Sequence, residues 1–140
     1  MQRVSRASVQ ADGSLVAQIG AGLLVLLGVA RTDTEADVRW LAAKVRALRI
    51  FEDERGRMNE PLGDRELLCV SQFTLYGDVQ RGNRPSWVGA APPELAEPLY
   101  ERFCELTAAR RGVFGARMRV SLVNDGPVTL LLESPSAAGR

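Results

Sequence analysis

The sequence predicts a single α+β domain, with a mostly antiparallel, barrel-like sheet as its core and two main helices. Three observations carry this. An Asp12-Gly13 pair separates two alternating segments, which is a strong hairpin signal near the start of the chain. Only two segments show helical periodicity. The resulting order, strand-strand-strand-helix-strand-helix-strand-strand, groups strands at both ends and suits an α+β arrangement. A chain of 140 residues is long enough to bury one core.

Residues 2–10 alternate through Val4, Ala7 and Val9, and 15–19 return as the second strand. Gly20-Ala21-Gly22 breaks that strand, and the apolar run 23–29 reads as a buried third one. Thr34 can cap a helix running to about Arg49, with Asp37 completing a capping box. Val38, Leu41, Ala42, Val45 and Leu48 fall on one face of it. Residues 52–64 hold charges, Gly and Pro and read as a loop. The run "ELLCVSQFTL", 66–75, reads as a buried strand with Ser71, Phe73 and Leu75 on one face and Gln72 and Thr74 on the other.

Residues 76–92 form a long loop. Pro93 suits the first turn of a helix on which Leu95, Leu99, Phe103 and Leu106 share a face, with Pro98 either kinking it or marking its true first turn. Segments 117–123 and 128–133 read as two strands joined by a turn at Asn124-Asp125-Gly126-Pro127. The domain is expected over 1–133, with 134–140 as a frayed tail.

Composition narrows the chemistry. No apolar run approaches the roughly 20 residues of a membrane span, and Met1-Gln2-Arg3-Val4 lacks the pattern of a secretory signal, so a cytoplasmic protein is expected. Net charge is +1, which gives no global pull towards nucleic acid. Lys44 is the only lysine. A coding bias toward Arg and Ala is a simpler reading of this than functional selection for Arg, and arginines still permit local phosphate contacts. Cys69 and Cys104 have no metal-binding spacing and read as buried free thiols. There is no histidine, which removes imidazole acid-base chemistry and His-based triads. Neither a metal nor a cofactor is expected.

The candidate motifs are individually open. In "SQFTLYGD", Ser71 and Thr74 are hydroxyl nucleophiles without a base in sequence, or caps at a strand end whose backbone N–H groups can hold an anion. "RGNRPSW", 81–87, either grips a phosphate and stacks a base or is a solvated loop with Trp87 pinned to the core. "GVFGARM", 112–118, is an apolar pocket or an entry into the core. "NDGPVT" is a good turn, and a bare Gly-Pro usually only punctuates.

Together these stretches closely resemble the D-aminoacyl-tRNA deacylases, also called D-tyrosyl-tRNA deacylases. The resemblance runs through "QRVSRASV", "IGAGLLVLLGV", "RIFEDERGRMN", "VSQFTLYGD", "RGNRPSW" and "FGARMRVSLVNDGPVT", in family order and over almost the whole chain. It implies a cytoplasmic homodimer that hydrolyses the ester between a D-amino acid, or glycine, and the terminal adenosine of tRNA. It implies a cis Gly126-Pro127 peptide that reaches into the partner's active site beside Ser71, Gln72, Phe73 and Thr74. It places an adenosine pocket at Phe73, Phe114, Gly115, Ala116 and Met118, and it gives Arg3 the task of steadying the Gly-Pro loop. Fewer residues precede "QRV" here than family members usually carry, so Arg3 lies close to the terminus. Two other readings stand beside this one: a metal-free esterase using Ser71 or Thr74, and a tRNA-binding dimer without catalysis.

Overall fold

A computed structural model describes residues 1–135. The first strand, β1 (Gln2–Ala11), organises the sheet. It pairs antiparallel with β2 (Ser14–Ile19) over its second half and with β3 (Gly22–Leu27) over its first residues. Its other edge pairs antiparallel with β8 (Met118–Thr129) along its whole length. The expected hairpin turn falls at Asp12-Gly13, both at positive φ.

Helices create the parallel part of the sheet. α1 (Glu35–Ala47) lies between β3 and β6 (Glu66–Ser71), and α2 (Pro93–Thr107) lies between β6 and the short β7 (Arg110–Arg111). A helical crossover returns the chain in the same direction, and both strand pairs are parallel. β3 and β6 are therefore buried on both faces, which is why they read as continuous apolar runs. Leu23, Val25, Leu27, Leu67 and Cys69 face α1 and α2, where Tyr100, Phe103 and Cys104 pack. Leu24, Leu68 and Val70 face inward with Val4, Val9 and Ile19 and fill the barrel-like interior.

α1 begins at Thr34, where the Asp37 carboxylate accepts from the Thr34 N–H at 2.8 Å and from its hydroxyl at 3.1 Å. α2 begins on Pro93 and carries Pro98 inside it, at the cost of the hydrogen bond to the Glu94 carbonyl. Among the described residues no helix is long and apolar enough to cross a membrane.

Several sequence expectations give way. The segment 52–64 contains a short antiparallel pair, β4 (Phe51–Glu52) with β5 (Met58–Glu60). The strand expected over 66–75 ends at Ser71, and Phe73–Tyr76 forms a 3-10 turn. Its neighbour β3 stops at Leu27, whose carbonyl takes the Gln72 N–H at 2.8 Å, so the ladder has nothing further to pair with. The shared face assigned to Ser71, Phe73 and Leu75 disappears with it. Finally, Asn124-Asp125-Gly126-Pro127 is not a hairpin turn. Chain direction does not reverse: Asn124 pairs with Val4 and Thr129 with Gln2, so four residues of β8, 125–128, bulge against one of β1, Arg3. The strand expected over 128–133 ends at Thr129. Of the expected tail, Ser134 donates to the Asp37 carboxylate at 2.8 Å, and 136–140 lie outside the described residues.

Candidate active site

A cleft of about 530 Å³ opens where β6 leaves the sheet. Val70, Ser71, Gln72 and Phe73 form one side. Phe114, Gly115 and Ala116 face them, with Met118 and Val120 of β8 beneath. The third side is Trp87 with Ala90, Ala91, Pro93 and Ala96, at and before the start of α2. Thus seven of the residues singled out in the sequence, Ser71, Gln72, Phe73, Phe114, Gly115, Ala116 and Met118, meet around one cavity.

Local chemistry explains the walls. Phe73 and Trp87 meet edge to face with ring centroids 5.3 Å apart, a favoured aromatic geometry. Both remain open to solvent, at 55% and 41% exposure. Gly77 makes room for the indole, since a Cβ there would lie 2.6 Å from a Trp87 ring carbon. Phe114 is half-buried and tilted against Tyr100 at 5.7 Å. The Gly115 backbone takes a φ of +77°, which turns the 114–116 segment across the cleft. The Met118 sulfur accepts from the Val113 N–H at 3.4 Å and fixes the start of that segment.

No lining residue carries an ionisable acid, base or cation. The hydroxyl of Ser71 has no carboxylate, lysine or imidazole on the cleft wall with it. Thr74 lies just outside on the exposed 3-10 turn, where the Gln72 side-chain amide donates to its Oγ1. Behind the wall, the Tyr100 hydroxyl donates to the Cys69 carbonyl at 3.0 Å. Complete burial pushes the Cys69 thiol well above its ordinary pKa, and burial likewise pushes the Tyr100 phenol up. Cys69 is therefore a neutral packing group and no nucleophile. Among the described residues no group of three or more His, Cys, Asp or Glu is placed to hold a metal ion.

Arg3, Gly126 and Pro127 do not line this cleft. They form a second cluster on the β1–β8 edge. The Gly126-Pro127 peptide is cis and both residues are exposed. Arg3, buried at 7% exposure, donates through Nε to the Asp125 carbonyl at 2.9 Å and through Nη1 to the Ile50 carbonyl at 2.8 Å. The bulge is closed from within by Asn124. Its Oδ1 accepts from the Val128 N–H at 2.9 Å, and its Nδ2 donates to the Thr129 hydroxyl at 2.9 Å. Sequence reasoning credited Asn124 only with bending a turn. Its i to i+4 and i+5 reach was hidden by the assumption of a hairpin. Trp87, read in the sequence as a base-stacking aromatic or as pinned to the core, stands on the cleft, whereas the small residues around the start of α2 were missed as walls, because nothing local marks which side of a loop faces a cavity.

The fold and cleft define a small α+β protein with an aromatic-walled site free of ionisable side chains. A family profile described as D-Tyr-tRNA(Tyr) deacylase matches residues 1–133, and the chain belongs to that family. It is 57% identical to a D-aminoacyl-tRNA deacylase of Myxococcus xanthus, covering 99% of this chain and 95% of the relative. It is 54% identical to one of Chlorobaculum parvum, covering 96% of each. Among solved structures, a c-Myc DNA unwinding element binding protein superposes with a TM-score of 0.90 at 43% identity, over 96% of this chain and 97% of that one. A probable eukaryotic D-amino acid tRNA deacylase, at 17% identity and TM-score 0.77 over 90% of this chain and 92% of that one, shares the fold.

Proposed function

We propose that this chain hydrolyses the ester joining a D-amino acid, or glycine, to the 3′-terminal adenosine of tRNA, as a cytoplasmic homodimer that proofreads chirality in translation. The observation that carries the reading is a nucleoside-sized aromatic cleft with no ionisable group on its walls. Such a site cannot activate a Ser or Thr nucleophile. It suits a substrate that is already an activated acyl ester and brings its own hydroxyl groups. Phe73, Phe114, Gly115, Ala116 and Met118 take the adenosine. A water attacks the ester carbonyl carbon with the 2′-hydroxyl of the tRNA assisting. The tetrahedral oxyanion is held by the N–H groups of Phe73 and Thr74, the first of the 3-10 turn, which have no acceptor within it. Collapse expels the adenosine 3′-oxygen, which takes the proton, and releases the amino acid.

Ser71 and Gln72 position this segment. Gly126 and Pro127 act across the dimer. Their carbonyls take the substrate ammonium of the partner's site and leave no room for an L side chain, while glycine has nothing to exclude. This is supported by their exposure away from the cleft of their own chain. Exposed Leu122, Val123 and Leu131 nearby also suit a protein-covered surface.

The test is deacylation of D-Tyr-, Gly- and L-Tyr-tRNA by the wild type and by Pro127→Ala. Hydrolysis of the first two and sparing of the third is expected, with the variant losing that discrimination or the activity. Equal wild-type rates on D- and L-Tyr-tRNA would sink the chiral mechanism.

A further inference from the structure

One exposed motif is not absorbed by the chemistry above: the loop at 78–86, with Arg81 and Arg84. We propose that this loop binds the phosphates of the single-stranded nucleotides immediately preceding the terminal adenosine. The inference rests on the tRNA reading and adds to it a site for the RNA backbone.

The loop is built at the mouth of the cleft. Its base is closed by an antiparallel bridge, with the Asp78 N–H on the Ser86 carbonyl at 2.8 Å and the Ser86 N–H on the Asp78 carbonyl at 2.9 Å. The next residue, Trp87, is itself a cleft wall. On the far side, Arg31 donates through Nε to the Val88 carbonyl at 2.6 Å, and its N–H reaches the Gly89 carbonyl at 3.4 Å. The base is thus fixed on both flanks. Arg84 is two residues from Ser86, so its Cα lies within about 7 Å of that anchor.

The charges at the tip are available. Neither Arg81 nor Arg84 makes an ion pair or side-chain hydrogen bond among the described residues. The one acid of the loop, Asp78, is exposed, pairs with neither arginine and accepts from the Gln80 N–H at 3.0 Å. Beside the arginines stand exposed apolar surfaces, Phe73, Trp87, Val79 and Val88, the last two at 68% and 73% exposure. Forked cations next to open aromatic faces are the combination that tracks a single strand: guanidinium on phosphate, ring on base. The base of the loop is closed on itself at Asp78 and Ser86, and Val88 and Gly89, just beyond the cleft-wall Trp87, are held by Arg31, so the arginines are carried on an anchored frame. With a net charge of only +1, the protein has no general field to hold RNA, so such contacts must be local.

The test compares wild type with Arg81→Gln/Arg84→Gln and with Arg81→Lys/Arg84→Lys. Binding of deacylated tRNA is measured across a salt series, and hydrolysis is measured on D-Tyr-tRNA and on 3′-O-D-tyrosyl-adenosine, which has no phosphate. The Gln pair should weaken tRNA binding about tenfold at low salt and lower the slope of log K against log salt by about 1.4, at about 0.7 per single-strand phosphate. The Lys pair should recover most of the binding. The rate on D-tyrosyl-adenosine should not change. An unchanged tRNA affinity and slope overturns the proposal, as does an equal loss on both substrates, which would mean the loop only shapes the cleft. A wild type that binds tRNA but hydrolyses neither ester sinks the deacylase reading, and the binding series still decides the role of the loop.

Discussion

The Arg3 Nε donates to the Asp125 carbonyl at 2.9 Å, joining the second residue of β1 to the bulge of β8 across 122 positions of sequence. Through Nη1 the same guanidinium holds the Ile50 carbonyl at 2.8 Å. A Cβ added at Gly126, whose φ is +136°, would meet Arg3 Nη2 at 3.0 Å. One buried fork therefore sets the position of the Gly126-Pro127 peptide from behind, while its outer face stays open.

Arg3→Ala should lower stability by about 2–4 kcal/mol, since charge-assisted hydrogen bonds contribute about 1.5–3 kcal/mol each and two carbonyls lose a donor. Arg3→Lys should recover only part of this, because an ammonium cannot span both carbonyls in the fork geometry. Urea unfolding measures the first effect. The ratio of D- to L-Tyr-tRNA hydrolysis should fall in both variants if the fork positions the peptide.

Asn124→Ala removes the acceptor of the Val128 N–H and the donor to the Thr129 hydroxyl. The expected loss is about 1–2 kcal/mol, with a larger effect on D-Tyr-tRNA turnover than on stability. Asn124→Asp should keep the Val128 bond and retain more activity than Ala. A variant at wild-type turnover would show that the bulge holds its shape without its internal closure.

These two positions show where sequence reading succeeds and stops. The hairpin at Asp12-Gly13, both helices and the doubly buried β3 and β6 were legible, because turn chemistry and periodicity are local. The bulge was not. Asn124-Asp125-Gly126-Pro127 has the composition of a turn, and only pairing with β1 reveals that the strand runs on in one direction. Phe73 to Tyr76 likewise has strand composition, yet it turns because β3 ends at Leu27. The cleft motifs were found as strings. Their meeting around one cavity, and the part played by Trp87, depend on crossovers through α1 and α2 that no window of sequence contains.

Gly77→Ala should distort the cleft more than the fold. The added methyl would approach the Trp87 ring at 2.6 Å and the Thr74 carbonyl at 3.1 Å. The indole must move, which breaks its edge contact with Phe73. A cost of about 1–3 kcal/mol is expected for such crowding. KM for D-Tyr-tRNA should rise at least severalfold, and a change in Trp fluorescence should accompany it.

Alkaline stability tests the buried wall. Cys69 and Tyr100 both titrate higher in the fold than their ordinary values of 9.0 and 10.0, chiefly through burial. The unfolded chain therefore releases these protons first. Stability is intact below pH 9 and falls above it, by up to about 1.4 kcal/mol per pH unit for each group. Tyr100→Phe should cost about 0.5–1.5 kcal/mol at neutral pH, because the Cys69 carbonyl keeps the Gly112 N–H at 3.1 Å. It should also flatten the decline above pH 10. A denaturation series from pH 7 to 11 reads both, and an unchanged slope above pH 10 would place the loss elsewhere.

Thr74 is the residue whose role the cleft decides most sharply. Its hydroxyl is exposed, accepts from the Gln72 amide, and shares the site with no group able to remove its proton. A nucleophilic hydroxyl without a base is a weak one, whereas the N–H of the same residue is free at the start of a helical turn. Thr74→Ala keeps that N–H and should retain most of the wild-type kcat on D-Tyr-tRNA. Thr74→Pro removes it and should lose at least about a hundredfold, the scale of one oxyanion donor; its fold is to be checked by circular dichroism. An inactive Thr74→Ala that still folds and binds tRNA, together with an acyl-enzyme trapped on the wild type, would move the chemistry from the backbone to the side chain.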